Sequence, residues 1–245
     1  MRKFCLAALF LLMTFPVHAQ DYAKADWPSL AKTLVRFGAI KLSDDHVLDE
    51  YAAITECDLY KAFYHDDFKW NQVRAAIKED ARDHIALFPT GYTYVTDLQL
   101  DRYDFQKSLF RFTAKSKLYN VNTFIIYSVE GTPCPDAAIS AIPRTYRVVL
   151  DTPFSLEGLP LASKDGEALL QQMKDSNNDS RTIRARFNLH VVYVAPLYKD
   201  VHAGSVKDQA QAGEEKGNMR LDARLDSVDF FEDQDMTKLI YKFQP

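Results

Sequence analysis

Glycine is scarce in this chain, eight residues among 245, and the scarcity excludes chemistry. Phosphate cradles and the Gly-x-Gly-x-x-Gly dinucleotide turn need glycine at fixed positions, where backbone N–H groups approach a phosphate closely. Neither pattern occurs, nor does a Gly-x-Ser-x-Gly nucleophile elbow or a His-Glu-x-x-His zinc helix. No cofactor is therefore expected. Basic residues are also in deficit, 30 Lys and Arg against 34 Asp and Glu, and they do not cluster. Phosphate neutralisation by Lys and Arg supplies most of the affinity for nucleic acid, so nucleic acid is not an expected partner. Beyond the first nineteen residues no apolar run approaches the roughly 20 residues that a membrane-spanning helix needs, so no transmembrane anchor is expected in the mature chain.

What the chain does have begins at its first residues. Arg2 and Lys3 precede an apolar stretch from Phe4 to Phe15, and Val17-His18-Ala19 gives a small-x-small cleavage signal before Gln20. This is the pattern of a secretory signal peptide over residues 1–19, and its short form reads as bacterial. Cys5 lacks the small-residue context of a lipid-attachment cysteine. The expected location is periplasmic or secreted. Removing Arg2 and Lys3 with the leader takes the formal charge from −4 to about −6 and leaves 226 residues. A chain of that size buries about 70% of its unfolded surface, enough for folding without a staple. With 47% hydrophobic residues, sixteen Phe and thirteen Tyr, it is not disordered and favours sheet.

Two cysteines survive cleavage, Cys57 and Cys134. In an oxidising compartment they can form a disulfide, and two buried free thiols are the alternative. Redox catalysis by a thiol pair normally uses Cys-x-x-Cys spacing, which is absent. Cys134 lies between Pro133 and Pro135, whose fixed φ stiffens the loop as an anchor.

The periodicity divides the chain. From about residue 27 to 88 it is helical. Pro28 suits a first helical turn, Leu30, Leu34 and Phe37 recur at helical spacing, and Gly38 stops the run. Ser43 is a candidate cap for a second helix with the stripe Val47, Tyr51 and Ile54. Asp66 is a candidate cap for a third, with Trp70, Val73, Ile77, Ala81 and Ile85 on one face until Pro89. From Tyr92 onward the period changes to two. Leu118 to Val129 is apolar on both faces and is expected to be a central, doubly covered strand. Tyr146–Leu150 is a shorter strand, and Ser163–Met173 a helix capped by Ser163. Arg184–Val194 and Met219–Phe230 alternate cleanly and should pair as an antiparallel hairpin. Their connection, residues 199–218, is polar and long enough to be mobile or functional. Met236–Phe243 supplies a last strand. The expected fold class is α+β: N-terminal helices packed on a predominantly antiparallel sheet, as one domain over residues 20–245.

Asp66-Asp67-Phe68-Lys69-Trp70 at the start of a long helix, Ala185-Arg186-Phe187-Asn188-Leu189, and Leu225-Asp226-Ser227-Val228-Asp229-Phe230-Phe231 together resemble a family of uncharacterised exported bacterial proteins, classed as a domain of unknown function. The resemblance extends over most of the mature chain. It rests on packing patterns, implies no activity and transfers no catalytic residue.

Three constellations carry possible chemistry. His65, Asp66 and Asp67 offer three metal ligands, yet consecutive residues before a helix usually diverge, and helix capping accounts for the acids more simply. A symmetric hairpin would bring His190 near Asp226, an oriented acid–base pair if a nucleophile joined them and a solvated cross-strand pair if none did. Tyr92, Tyr94, Tyr103 and Tyr119 are stacking surfaces for a glycan or ordinary strand residues. The leading expectation is a non-enzymatic envelope module that binds another protein or a cell-wall component. The alternative is a periplasmic hydrolase with a dispersed site near His190 and Asp226.

Overall fold

A computed structural model of the chain describes residues 22–127, 134, 137–196 and 219–245. The expected signal peptide and the expected loop 199–218 lie outside the described residues. Five helices are present among them: α1 (Trp27–Arg36), α2 (Asp45–Thr55), α3 (Cys57–Phe63), α4 (Asp67–His84) and α5 (Ser163–Asp175). None is long and apolar enough to cross a membrane.

The caps explain most helix starts. Asp26 accepts a hydrogen bond from the Ser29 amide at 2.9 Å, and Asp66 accepts from the Lys69 amide at 3.1 Å. At α2 the cap is Asp44, which accepts from the amides of His46 and Val47, and not Ser43 one residue earlier. Ser163 is already helical in α5, whose cap position is Ala162 and has no side-chain hydrogen bond. The seven-residue α3 escapes a periodicity reading because it is barely two turns long.

Nine strands form one sheet: β1 (Ala23–Lys24), β2 (Gly91–Asp104), β3 (Leu109–Phe112), β4 (Leu118–Tyr127), β5 (Thr145–Leu156), β6 (Gly158–Pro160), β7 (Thr182–Pro196), β8 (Met219–Phe231) and β9 (Leu239–Phe243). Their order is β4-β5-β8-β7-β2-β3-β6, with β1 beside β2 and β9 beside β8. The pairings are antiparallel except β1 with β2 and β5 with β8. The expected hairpin is present as β7 and β8, with Ala185, Phe187, Leu189, Val191 and Val194 paired with Phe230, Val228, Leu225, Ala223 and Leu221, all buried.

The sheet curls until it is nearly a barrel. Tyr94 on β2 and Phe124 on β4 are four strand steps apart, yet their rings lie 5.1 Å apart, and Phe187 fills the space between with its ring 5.0 Å from Phe124. Trp27, Leu30 and Leu34 of α1 and Leu48 of α2 belong to the same contiguous buried cluster as Tyr92, Phe187 and Leu189. Tyr92 donates to the carbonyl of Ser29 at 2.8 Å and is hydrogen-bonded to the Thr33 hydroxyl, which ties β2 to α1.

The sheet corrects the expectation for β4. It is the end strand of the path, with β5 as its one strand neighbour among the described residues. Its doubly apolar pattern has another cause: Phe124 and Ile126 are buried in the interior of the curl, while Ile125 on the other face is only half-buried. Curling supplies the cover that a flat sheet would obtain from a second layer.

Candidate functional site

The outer face of the β7–β8 hairpin carries the polar residues that the alternation placed there. The register puts His190 opposite Arg224, while Leu189 pairs with Leu225 and Asn188 with Ser227. Asp226 is the extra residue of a bulge, because two adjacent residues of β7 span three on β8. Its carboxylate is engaged by two groups. The Arg224 guanidinium donates to Oδ1 at 2.9 Å, and the Tyr22 hydroxyl donates to Oδ2 at 3.1 Å. Burial and then the Asp226 carboxylate push the Tyr22 hydroxyl up to about 12, so it is a neutral donor at physiological pH. His190 places Nε2 3.4 Å from the Thr90 hydroxyl. The observed register is not the symmetric one that would set His190 against Asp226: His190 pairs with Arg224, and the acid meets a cation and a phenol.

Farther along the same face lies a polar cluster that the sequence reading did not isolate. Asn188, Ser227 and Asp229 are buried. Asn188 Nδ2 donates to the Ser227 hydroxyl at 2.8 Å and to Asp229 Oδ2 at 2.9 Å, and Arg186 donates to the same oxygen at 3.0 Å. Lys242 of β9 stands 3.5 Å from Oδ1, and the Arg186 guanidinium lies over the Phe231 ring at 4.8 Å. Burial pushes the Asp229 carboxyl up, but hydrogen bonds from Arg186 and Asn188 and the charges of Lys242 and Arg186 outweigh it and hold the group below the usual carboxylate range.

At the start of α4, Asp66 serves as the cap and pairs with Lys69 Nζ at 3.1 Å, which holds its carboxyl below the ordinary value, the Lys69 amide contributing most. His65 lies edge-on to Tyr64 with rings 5.5 Å apart, and Asp67 is in the first helical turn. No group of three His, Cys, Asp or Glu that could hold a metal is present among the described residues.

Cys57 at the start of α3 and Cys134 have Cα atoms 5.2 Å apart and sulfurs at 2.06 Å, a geometry that accommodates a disulfide. A second fastener acts on the same stretch of chain. Glu50 of α2 is 2% exposed, and its carboxylate accepts from the Ser140 amide at 2.7 Å and hydroxyl at 2.9 Å, from the Ala141 amide at 2.7 Å and from the Ile142 amide at 3.1 Å. Three successive amides form a concave nest that suits an anion. The sequence held a signal for this: Glu50 is an acid inside the apolar stripe Val47, Tyr51 and Ile54. Its neighbour Asp49 accepts from the Trp70 indole at 2.8 Å and from Arg74 Nε at 2.7 Å, joining α2 to α4.

Three of the four tyrosines considered for glycan stacking are engaged elsewhere. Tyr92 is buried against α1, Tyr94 packs on Phe124 and Phe187, and Tyr103 donates to the Leu161 carbonyl at 2.7 Å. Tyr119 on β4 is 82% exposed. Beside Arg224 an open cleft of about 520 Å³ lies where β5 leaves β8 after the Leu150–Ala223 pair and β9 joins β8 only at Val228. Pro153, Phe154, Phe243 and Pro245 give it apolar walls, and Asp151 and Arg224 give it charge.

No curated protein and no solved structure matches the chain. Residues 43–172, just over half of the chain, match a family described as Domain of unknown function (DUF4852). The match includes Asp66-Asp67-Phe68-Lys69-Trp70, Glu50 with its amide nest, and both mature-chain cysteines, and it stops short of the β7–β8 hairpin. Through this segment the chain belongs to the family described as Domain of unknown function (DUF4852).

Proposed function

We propose that the chain is an exported bacterial envelope protein that works as a non-enzymatic binding module, toward another envelope protein or a cell-wall component. Export rests on the sequence pattern of residues 1–19, and the remaining 226 residues are read as one α+β unit. The observation that carries the binding reading is the wiring of the polar sheet face. Asp226 is taken up by Arg224 and Tyr22, and Asp229 by Arg186, Asn188 and Lys242. A general base needs its carboxylate oriented toward a histidine or a reacting group. Here the acids hold the face in shape.

The test is complementation of a deletion strain with His190→Ala and Asp226→Asn proteins at matched exported abundance. Both should restore the phenotype, and the purified mature protein should cosediment with isolated cell-wall sacculi or crosslink to an envelope protein. A His190→Ala protein that is stable and exported yet does not complement favours the hydrolase with a site near His190 and Asp226, and overturns the binding reading.

A further inference from the structure

The edges of the sheet are not treated alike. Exposed strand edges invite pairing with other chains, and proteins blunt them by shortness, lysine or proline. The edge strand β1 is two residues long and includes Lys24, β6 is three residues long and ends in Pro160, and β9 carries Lys242. The edge of β4 has none of these devices. Leu-Tyr-Asn-Val-Asn-Thr-Phe-Ile-Ile-Tyr contains no charge and no proline over ten residues. Irregular pairing and a positive φ of 51° at Asn120 disturb its first half. From Thr123 to Tyr127 the ladder with β5 is regular. On the other side of that stretch, no backbone partner is present among the described residues.

Across the open side of the curl lies a second free edge. On β2, Tyr92 and Thr93 pair with β1 and the segment from Leu100 onward pairs with β3, so among the described residues Tyr94–Leu98 has a strand on its β7 side alone. The Tyr94–Phe124 ring contact brings the two free edges to the lips of one seam, without a ladder between them.

We infer that this seam is the docking site of the module, and that its occupant is an extended, uncharged segment of a partner polypeptide that adds as a strand to Thr123–Tyr127 of β4. The inference rests on the binding reading and names the partner's chemistry. Successive unpaired amides and carbonyls recur about every 6.8 Å along one edge of a strand, a repeat that another polypeptide strand matches. Charge sets the composition. β4 has no ionised side chain, and Asp97, the one on the facing stretch of β2, is paired with Arg184 at 3.0 Å. Alternate side chains of the incoming strand turn into the curl beside Phe124 and Tyr94, where a charged residue would lose water with no counter-ion to meet it. A second folded copy of this chain is a poorer fit, since its own β4 is already faced across the seam by its own β2.

The experiment places a photoreactive benzoylphenylalanine at Thr123, at Thr152 in the cleft or at Glu79 on α4, in the full chain expressed in its own cells. The expected result is an adduct from Thr123, absent from Glu79, that maps to an uncharged stretch of another protein and falls at least tenfold when Asn122→Lys charges the edge. Asn122 is exposed, so that variant should fold, and circular dichroism of the purified protein checks it. Adducts from Thr152 and none from Thr123 would overturn the seam while keeping the binding reading. Adducts at none of the positions in complementing cells would overturn the seam, and cosedimentation with sacculi then decides the binding reading separately. An adduct between two copies of the chain, or one unaffected by Asn122→Lys, would overturn the inferred partner. Hydrogen exchange of the isolated protein gives an independent check. Peptides covering 123–127 should exchange at least tenfold faster than those covering 184–189, and equal protection would mean that the edge is already covered.

Discussion

Glu50 and Asp229 are both carboxylates buried to within a few per cent, and they are stabilised in opposite ways. Glu50 draws its hydrogen bonds chiefly from neutral donors, three backbone amides and a hydroxyl on a segment ninety or more residues away, with the exposed His46 ring placing Nε2 3.2 Å from the same carboxylate. Asp229 is surrounded by cationic side chains, Arg186 and Lys242, with Asn188 as its neutral donor, and its Oδ1 has no hydrogen bond. The difference shows two uses of a buried charge. At Glu50 the acid replaces secondary structure, because residues 140–142 are neither helix nor strand and their amides need an acceptor. At Asp229 the ladder is already complete, and the acid sets which side chains stand together on the sheet face.

The segment fixed by Glu50 is fixed again by cysteine chemistry, so removing the disulfide gives the largest effect in this comparison. Cys57→Ser with Cys134→Ser should cost about 4 kcal/mol in the chain-entropy model, because the bridge closes a loop with a sequence separation of 77. Urea unfolding of the two forms measures it. Non-reducing peptide mapping of exported protein must first recover the linked peptides. Two freely alkylated thiols would reject the bridge.

Glu50→Ala is next. It removes the acceptor of three amides, of which that of Ile142 is buried while Ser140 and Ala141 are exposed to water, and losing hydrogen bonds to a charged group of this kind costs about 2 to 3 kcal/mol. Because both changes release the same segment, their effects should fall short of additive in the combined variant. Additivity within experimental error would show that the disulfide and the nest act on independent regions.

Asp229→Asn should cost less, about 1 to 2 kcal/mol at pH 7, since the amide oxygen still accepts from Arg186 or Asn188. This effect also has a pH signature. Because the folded carboxyl titrates below its unfolded value of about 3.9, its contribution is present above that pH and is lost as pH falls through the folded value. The gap between wild type and Asp229→Asn should thus hold at neutral pH and narrow as the pH falls below about 4. A gap that widens on acidification would show that desolvation, and not the cations, dominates at this position.

Much of the frame was legible in the sequence because it is local. The stripes of α1, α2 and α4 depend on a period of 3.6 residues and the β7–β8 hairpin on a period of two, and each can be read within a dozen residues. The family resemblance was also readable, although the matched segment, 43–172, contains just the first of the three patterns that suggested it. What escaped is non-local. The parallel pairing of β5 with β8 and the edge position of β4 depend on the order in which strands join, which alternation does not encode. The bulge at Asp226 adds one residue to one strand and moves every cross-strand neighbour beyond it. The bulge accounts for one residue of the two-residue offset between the expected His190–Asp226 pairing and the observed His190–Arg224 one, and the register of the two strands, already one residue off the symmetric one at Asn188–Ser227, supplies the other. The anchoring role of Glu50 needed knowledge of the 140–142 backbone, ninety residues downstream.

The smallest expected effect is at His190, and it sharpens the contrast because His190 shares a sheet face with Asp229 but not its burial. The ring is half-buried, pairs in register with Arg224 and meets the Thr90 hydroxyl at 3.4 Å, near the outer limit of a hydrogen bond. His190→Ala should change stability by less than about 0.5 kcal/mol, as substitutions away from a buried network usually do. A catalytic histidine would separate stability from function in another way, with the fold intact and the rate down by a factor of about 10² to 10⁴. Urea unfolding and complementation by the same variant therefore have to be read together. A change of 2 kcal/mol or more would extend the buried network from Asp229 across the hairpin to His190. An unchanged midpoint with loss of complementation would make His190 a direct participant in the protein's activity.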